Sequence, residues 1–209
     1  MKKIAITQRL VNNLDYNECR ETLDVSWAKL FDKIDLLPIV LPYESDFEKY
    51  FKELKIDGIL LSGGNNLYSI NQNELSKKRD IFEKRLISYA IKNNIPLFGV
   101  CRGMQIIAEY FGSTFKKVDL QINITHKLLP KENSKYLTHL KNIKIVNSFH
   151  NYGIDKLSDE LLVCATSDAN IIKSIEHKKH KIFAQMWHSE RVKPFNTQEL
   201  KLIKDFFND

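Results

Sequence analysis

Apolar and polar residues follow a repeating strand and helix pattern in the first half of the chain. Short apolar runs predict buried strands at 3–7, 36–41, 57–61 and 95–99. Between them, apolar residues recur at helical spacing and predict helices that end near Lys33 or cover 47–54 and 75–93. Pro38 places the second strand near a sheet edge. Alternating strands and helices predict an α/β fold with a doubly wound, mostly parallel sheet flanked by helices.

Other parts of the chain have a different pattern. Residues 12–17 are polar and residues 119–140 are mixed, so both segments are predicted to be loops. Strands with short connections are predicted at 142–147, 160–166, 171–177 and 181–187, followed by an amphipathic helix at 196–207. Because neither an internal repeat nor a linker interrupts the pattern, we predict one domain over residues 1–209.

The charge of the chain is mildly basic. Lys and Arg number 32 against 26 Asp and Glu, which gives a formal net charge of +6 without a basic block. This excess is compatible with an anionic small substrate, and it gives no indication of a nucleic-acid groove. No apolar run has membrane-spanning length, and the N-terminal run is too short for a signal peptide. We therefore expect a cytoplasmic protein that acts on a small molecule as a monomer or homodimer.

The three cysteines, Cys19, Cys101 and Cys164, argue against a disulfide scaffold. Their number is odd and they form no Cys-x-x-Cys pair, which fits a reducing compartment. No histidine pair or His/Cys cluster has the spacing of metal ligands. We therefore expect neither a metal nor a cofactor.

One cysteine lies in a pattern typical of a nucleophile elbow. Residues 99–103 read Gly-Val-Cys-Arg-Gly, after an apolar run and before a helical stretch at 104–111. Such a turn pushes the central side chain, here Cys101, into the open, and the helix N-terminus favours its thiolate. A buried structural cysteine is the alternative interpretation, but the flanking glycines favour a nucleophile.

A thiol nucleophile needs a base and donors for the oxyanion. His188 ends an apolar run, and Glu190 could orient its imidazole, which predicts a triad with Cys101. A His-x-Glu sequence alone is more typical of a solvated turn. The backbone N–H of Arg102 is one candidate oxyanion donor, and that of Gly64, in the Ser-Gly-Gly turn at 62–64, is the second. A tight turn without function is an equally good interpretation of the latter.

Together, these motifs resemble the class I glutamine amidotransferase family over nearly the whole chain. They are the turn at 62–64, the elbow at 99–105 and Gln-Met-Trp-His-Ser-Glu at 185–190. The resemblance implies a flavodoxin-like sheet and attack by a Cys-His-Glu triad on a γ-glutamyl carbonyl through a thioester. Synthetase-linked members usually read Cys-Leu-Gly-His-Gln at the elbow. This chain reads Cys-Arg-Gly-Met-Gln at 101–105, and with 79–83 and 147–150 it is similar to the γ-glutamyl hydrolase branch, peptidase family C26.

The resemblance also implies substrate-binding residues. Gln105 would hold the amino-acid end of the glutamyl group, Gly63 would lie beside it, and the backbone of Ser148 and Phe149 would line the same pocket. A glutamine on a helix surface and a loop after a strand are the alternative interpretations. The chain departs from the family at Ser189, because Pro usually separates the histidine from the glutamate.

The expected substrate is a small γ-glutamyl amide, which overall likeness suggests is nucleotide-linked. The segments 8–17, 65–74 and 119–139, with Arg9, Lys127 and Lys131, are expected to hold the leaving group. Three alternatives stay open. They are a glutaminase subunit that passes ammonia to a synthetase, a hydrolase of another γ-glutamyl amide such as γ-glutamyl-aminobutyrate, and a non-enzymatic relative. Among the other histidines, His150 is the first alternative for the catalytic base.

Overall fold

A nine-stranded sheet runs through the protein, which a computed structural model describes for residues 1–119 and 121–208. The strands, in chain order, are β1 (Lys2–Ile6), β2 (Arg9–Asn13), β3 (Glu18–Thr22), β4 (Leu36–Val40), β5 (Gly58–Leu61), β6 (Leu97–Val100), β7 (Thr114–Lys117), β8 (Ile122–Pro130), β9 (Ile145–Phe149), β10 (Tyr152–Lys156), β11 (Leu161–Ser167), β12 (Ile172–His177) and β13 (Ile182–Gln185). The helices are α1 (Ser26–Ile34), α2 (Phe47–Leu54), α3 (Glu74–Asn93), α4 (Arg102–Tyr110), α5 (Leu137–Leu140) and α6 (Thr197–Asn208), and a 3-10 turn covers Ser189–Arg191.

The sheet has a parallel half and an antiparallel half. Its strand order is β4-β1-β5-β6-β13-β12-β11-β8-β9. Neighbours from β4 to β13 pair in parallel, and neighbours from β13 to β9 pair antiparallel. The predicted α/β class is confirmed, and β4 lies at the sheet edge as Pro38 indicated.

Helices cover both faces of the parallel strands. On one face, Phe206 and Phe207 of α6 pack against Phe98 of β6, and α1 contacts α6. Neighbouring residues of a strand point to opposite faces, so Gly99 faces the other side. There a Cβ added to Gly99 would lie 2.7 Å from the Gly103 carbonyl oxygen of α4. This second face also holds α3, which contacts α4, so the sheet is wound on both sides.

Two of the predicted loops contain strands. Residues 9–22 form a hairpin of β2 and β3, and residues 122–130 form β8. The prediction for 12–17 is confirmed at 14–17, the turn of the hairpin, but the strands on either side were missed, and the prediction for 119–140 is wrong at 122–130; the reason is the same. These strands carry mostly polar, exposed or half-exposed side chains, so they lack the apolar pattern by which a buried strand is recognised. No helix in the described ranges, 1–119 and 121–208, is long and apolar enough to cross a membrane.

Candidate active site

Three segments of the predicted site follow three adjacent parallel strands. The 62–64 turn follows β5, Cys101 follows β6, and His188 follows β13 within three residues. Because β6 lies between β5 and β13, the carboxyl ends of all three strands meet at one edge with Cys101 in the middle. The fold therefore brings together residues that lie far apart in sequence.

The elbow has the strained backbone geometry of a nucleophile elbow. Cys101 has φ 52° and ψ −102°, and α4 begins at the next residue. Its backbone N–H donates to the Gln185 carbonyl at 2.8 Å, which fixes the turn to β13. A Cβ on Gly103 would lie 2.1 Å from the Leu61 carbonyl oxygen, so only glycine lets α4 approach β5 this closely. The strain at Cys101 is thus held by packing on both sides.

The prediction that the Cys101 side chain is exposed is wrong, because only 7% of its surface is accessible. The 62–64 turn and His188 lie over it. Burial by itself raises the pKa of the thiol, but the charged His188 imidazole beside it outweighs this effect, and the pKa of Cys101 falls below its ordinary value. The site therefore favours the thiolate, the nucleophilic form.

His188 is oriented by Glu190. Its Nδ1 lies 2.5 Å from the Glu190 carboxylate, and both side chains are buried. Burial lowers the pKa of the imidazole, but the Cys101 thiolate and Glu190 raise it by more, so the pKa of His188 lies above its ordinary value. Because Nδ1 is taken by Glu190, Nε2 is the nitrogen left for Cys101. Cys101 and His188 together form a thiolate–imidazolium pair.

The backbone of His188 is held by a residue of β9. The Asn147 side chain accepts a hydrogen bond from the His188 N–H at 2.8 Å and donates one to its carbonyl at 2.8 Å. The Phe149 ring stands edge-on to the imidazole, with centroids 5.9 Å apart. Sequence reasoning used Asn147 only as part of a family motif and missed this positioning role.

The departure at Ser189 is accommodated by a buried hydrogen bond. Gln185 Nε2 donates to Ser189 Oγ at 2.8 Å and to the Trp187 carbonyl at 3.1 Å. Ser189 then begins the 3-10 turn that carries Glu190. The hydroxyl thus fixes a turn that the ring of a proline would otherwise restrict.

Arg79 orients the 62–64 turn. Its buried guanidinium donates to the carbonyls of Ser62 at 2.8 Å and Gly63 at 3.1 Å, and also to that of Gly64. In a trans peptide the C=O and the next N–H point in opposite directions. With the Gly63 carbonyl directed at Arg79, the Gly64 N–H is directed away from it. This is the orientation that an oxyanion donor at Gly64 needs.

A buried ion cluster joins this turn to the elbow. Glu83 accepts from Arg79 Nε at 3.0 Å and from Arg102, and Arg102 also contacts Asp80. Burial raises the pKa of Glu83, but the two guanidinium groups lower it by more, so the pKa lies below its ordinary value and Glu83 is ionised. Sequence reasoning took 79–83 only as a family likeness. The structure shows that these charges connect the two candidate oxyanion donors.

Two cavities share His188 in their lining, and Cys101 lines one of them. The Gln105 cavity, about 120 Å³, is lined by residues that include Cys101, Gln105, Phe149, His150 and Tyr152. The Arg9 cavity, about 250 Å³, is lined by residues that include Arg9, Asp24, Trp27, Ser62 and Gly63. Gly64, His188 and Arg191 line both. The arrangement has room for two parts of one substrate in cavities that share His188.

The predicted glutamyl-binding residues are distributed unevenly. Gln105 and Phe149 line the Gln105 cavity, and Gln105 Nε2 donates to the Tyr152 carbonyl at 3.1 Å. Gly63 lines the other cavity. Ser148 is fully buried and its hydroxyl donates to Gln121 at 3.1 Å, so its side chain is directed away from both cavities.

His150 does not have a nitrogen available to act as the base. Its Nδ1 lies 3.1 Å from the Tyr152 carbonyl, which can only accept, and its Nε2 lies 3.0 Å from the Lys173 ammonium, which can only donate. Burial and the neighbouring Lys173 lower the pKa of His150 to about 3, so the ring is neutral. Lys173 itself is fully buried, and burial lowers its pKa to about 8.

The basic residues expected around the leaving group separate into two sets. Arg9 lines a catalytic cavity, whereas Lys127 lies on β8 and Lys131 lines a different cavity beside Leu161. The expectation for 119–139 stays a prediction, because Lys131 lies at another cavity while Ile122 of β8 pairs with Phe149 of the Gln105 cavity; Leu120 lies outside the described residues. Arg191, which sequence reasoning missed, takes the place of these lysines at the site.

Comparisons with known proteins agree with this geometry. The structure of a GMP synthase protein from Thermoplasma acidophilum superposes with a TM-score of 0.75 at 20% identity, covering 100% of this chain and 93% of the other. A glutamine amidotransferase from Thermotoga maritima gives a TM-score of 0.67 at 15% identity, covering 99% of this chain and 84% of the other. These two similarities show that the fold is that of class I glutamine amidotransferases.

Sequence comparisons define the family. The Peptidase C26 family model matches residues 4–190, so the chain belongs to that family and is a hydrolase, as the motifs indicated. A relative in Campylobacter jejuni, "Gamma-glutamyl-CDP-amidate hydrolase", is 41% identical over 98% of this chain and 97% of its own length. "Gamma-glutamyl-gamma-aminobutyrate hydrolase" of Escherichia coli O157:H7 is 28% identical over 82% of this chain and 78% of its own.

Proposed function

We propose that the protein hydrolyses a γ-glutamyl amide by covalent catalysis, with Cys101 as nucleophile, His188 as base and acid, and Glu190 as the group that orients His188. The observation that carries this proposal is the pairing of Cys101 with His188, whose pKa shifts favour a thiolate and an imidazolium, beside two cavities that share His188 in their lining. The glutamyl half of the substrate would occupy the Gln105 cavity, and the leaving half would occupy the Arg9 cavity.

The chemistry has two halves. The Cys101 thiolate attacks the γ-carbonyl carbon, and the oxyanion accepts hydrogen bonds from the N–H groups of Gly64 and Arg102. The Arg102 N–H is free of intrahelical bonding because it lies in the first turn of α4. The C–N bond then breaks as His188 Nε2 gives its proton to the leaving nitrogen, which leaves a thioester. Water next attacks the thioester, His188 takes its proton, and the C–S bond breaks to release glutamate and the thiolate.

For the leaving group we propose cytidine diphosphoramidate, so that the substrate is γ-glutamyl-CDP-amidate. The name of the Campylobacter jejuni relative and its 41% identity to this chain support this substrate. The Arg9 cavity supports it as well, because a leaving group as small as ammonia needs no 250 Å³ cavity with two arginines in its wall. We further propose that the reaction serves capsular phosphoramidate synthesis, in which case disruption of the gene would remove phosphoramidate from the capsule.

Two other substrates are the alternatives to the CDP-amide. A glutaminase subunit would hydrolyse glutamine and pass ammonia to a synthetase, and a hydrolase like the Escherichia coli relative would prefer γ-glutamyl-aminobutyrate. The purified protein should therefore be incubated with glutamine, γ-glutamyl-putrescine, γ-glutamyl-aminobutyrate and γ-glutamyl-CDP-amidate, with released glutamate as the readout. We expect the largest kcat/KM for the CDP-amide.

The mechanism is tested on the same panel with variants of the cysteines. Cys101→Ala should lose all activity, because no other group can form the thioester, and mass spectrometry of the quenched wild-type enzyme should find a glutamyl adduct on Cys101. Cys164→Ala is the matched control, since burial raises the pKa of that thiol and keeps it protonated. Glutamate release by Cys101→Ala would overturn the mechanism. Equal kcat/KM for glutamine and the CDP-amide would overturn only the choice of leaving group.

A further inference from the structure

The Arg9 cavity carries an unusual combination of charges beside the triad. His188 and Glu190 neutralise each other within it, so the remaining charged groups are Arg9, Arg191 and Asp24. Counted over the lining residues alone, with the Cys101 thiolate in the other cavity, two cations face one anion. A cavity with this balance favours an anionic occupant.

Arg9 reaches the cavity from the β2–β3 hairpin. Its side chain lies against the 62–64 turn, because a Cβ added to Gly64 would come within 3.1 Å of Arg9 Cδ and 3.5 Å of Nε. Within residues 1–119 and 121–208, no carboxylate or carbonyl pairs with its guanidinium. The hairpin is itself fixed there, since the Asn65 side chain accepts from the Leu10 N–H at 3.0 Å and donates to its carbonyl at 2.9 Å. Arg9 is therefore a positioned cation whose five donors are available to a ligand.

Arg191 reaches the cavity from the 3-10 turn that carries Glu190, and its charge acts on Asp24. Its guanidinium lies over the Phe149 ring, 4.8 Å from the centroid, and its Nε is 3.7 Å from Glu190. That separation is longer than a hydrogen bond, and Glu190 already accepts from His188 at 2.5 Å. Stacking on Phe149 holds the guanidinium plane in place while most of its donors stay unused. Since Arg191 lines both cavities, it lies at the boundary between the glutamyl and leaving halves.

Asp24 gives the cavity a polarity of its own. Its Oδ1 accepts from the Ser26 N–H at 2.8 Å, and this hydrogen bond keeps the pKa of the carboxyl below its ordinary value, so Asp24 is ionised. A phosphate group would be repelled by Asp24 and attracted by Arg9 and Arg191. The diphosphate is thereby directed towards the arginines.

From these observations we propose that Arg9 and Arg191 form the diphosphate subsite of the enzyme, one guanidinium on each side of the leaving group. The inference rests on the proposed function in assigning the Arg9 cavity to the leaving half of the substrate. Arginine suits the role because its planar fork makes paired, charge-assisted hydrogen bonds to phosphate oxygens. The two residues act in binding and selectivity, and the bond-making steps stay with the triad.

The test measures binding without requiring turnover. CDP, pyrophosphate and cytidine are titrated into the Cys101→Ala protein by calorimetry, alone and combined with Arg9→Gln, Arg191→Gln or Lys131→Gln. Loss of one charge-assisted arginine contact should raise the Kd for CDP and pyrophosphate by about 10- to 100-fold. Lys131→Gln removes the same charge from a cavity far from the triad and should leave both Kd values unchanged.

Turnover separates this inference from the proposed function. In otherwise wild-type protein, Arg9→Gln and Arg191→Gln should lower the ratio of kcat/KM for the CDP-amide to that for glutamine by about 10- to 100-fold. CDP binding that depends on both arginines would support the subsite even if the CDP-amide were not cleaved, and the proposed substrate alone would then fail. Equal Kd values for CDP in all variants, or cytidine binding as tightly as CDP, would overturn the subsite. Arg9→Lys, which keeps the charge without the fork, should fall between wild type and Arg9→Gln.

Discussion

The missing side chain of Gly63 is what leaves room for His188 in front of Cys101. A Cβ on Gly63 would lie 2.7 Å from His188 Cε1 and 3.6 Å from Cys101 Cβ. Carbon atoms rest at about 3.5 Å or more, so in Gly63→Ala the imidazole must withdraw by roughly 0.8 Å. It cannot do so freely, because Glu190 holds the ring and Asn147 holds the backbone.

The expected cost of this displacement falls on catalysis. A shift of about 1 Å in a catalytic group lowers rates by about 100-fold, which corresponds to about 2.7 kcal/mol of transition-state stabilisation. Gly63 does not have the positive φ found at Gly64 and Gly112, so its backbone accepts alanine without strain. We expect kcat/KM for every γ-glutamyl substrate to fall by about 100-fold, and the free energy of unfolding to fall by about 1–3 kcal/mol because the added methyl group overpacks a buried site.

Gly112→Ala is the matched control, because there the added Cβ makes no contact but the backbone φ is unfavourable for alanine. Gly112 has φ 89° and nothing within 4 Å of its added Cβ, so alanine there is strained but touches nothing. It should cost about 1–2 kcal/mol of stability and leave kcat/KM intact. If Gly63→Ala kept full activity, or lost it while a crystal structure showed His188 unmoved, the explanation by displacement of His188 would be refuted.

Two buried ionisable groups give predictions for stability. Burial raises the pKa of Glu199 from 4.5 to about 7, so the folded state loses stability as pH rises through that window. Glu199→Gln removes the loss and should gain up to about 3 kcal/mol on wild type between pH 4.5 and 7.5 in urea denaturation; a difference independent of pH would contradict this. Burial lowers the pKa of Lys173 from 10.5 to about 8, so the ammonium opposes folding below that pH and stability rises between pH 8 and 10.5. Against Lys173→Met, wild type should therefore gain about 1.4 kcal/mol per pH unit over this window, and parallel stability curves would show that folding does not lower the pKa of Lys173.

The parts of the molecule that sequence reasoning found share a physical property. Four short apolar strands are buried on both faces: β1, β5, β6 and β13. In the helices between them, apolar residues recur at helical spacing. The site segments follow those strands directly, so finding the strands also located Cys101 and His188. The flanking glycines added the elbow, because their spacing reflects a close approach of helix and strand.

The parts that were missed depend on contacts between distant residues. Asn147 acts on His188 across 41 positions, and Lys173 reaches His150 across 23. Neither residue has a local pattern that indicates its partner. The hairpin at 9–22 was missed because its strands pair with each other outside the central sheet, where no buried face imposes an apolar alternation.

That hairpin has a consequence for how such enzymes change substrate. The hairpin lies outside the central sheet, and it supplies Arg9. The side chain of Asn65, which follows the 62–64 turn, binds the hairpin backbone at Leu10. The ion cluster of Arg79, Glu83 and Arg102 is the opposite case, because loss of Glu83 leaves the buried Arg79 guanidinium without its carboxylate, and loss of Arg102 leaves Asp80 without its cation. Substitutions in the hairpin can therefore accumulate one at a time while the cluster keeps its composition. We therefore expect that an enzyme of this kind can accept a new leaving group through changes in this hairpin of about fourteen residues, while the catalytic framework stays the same.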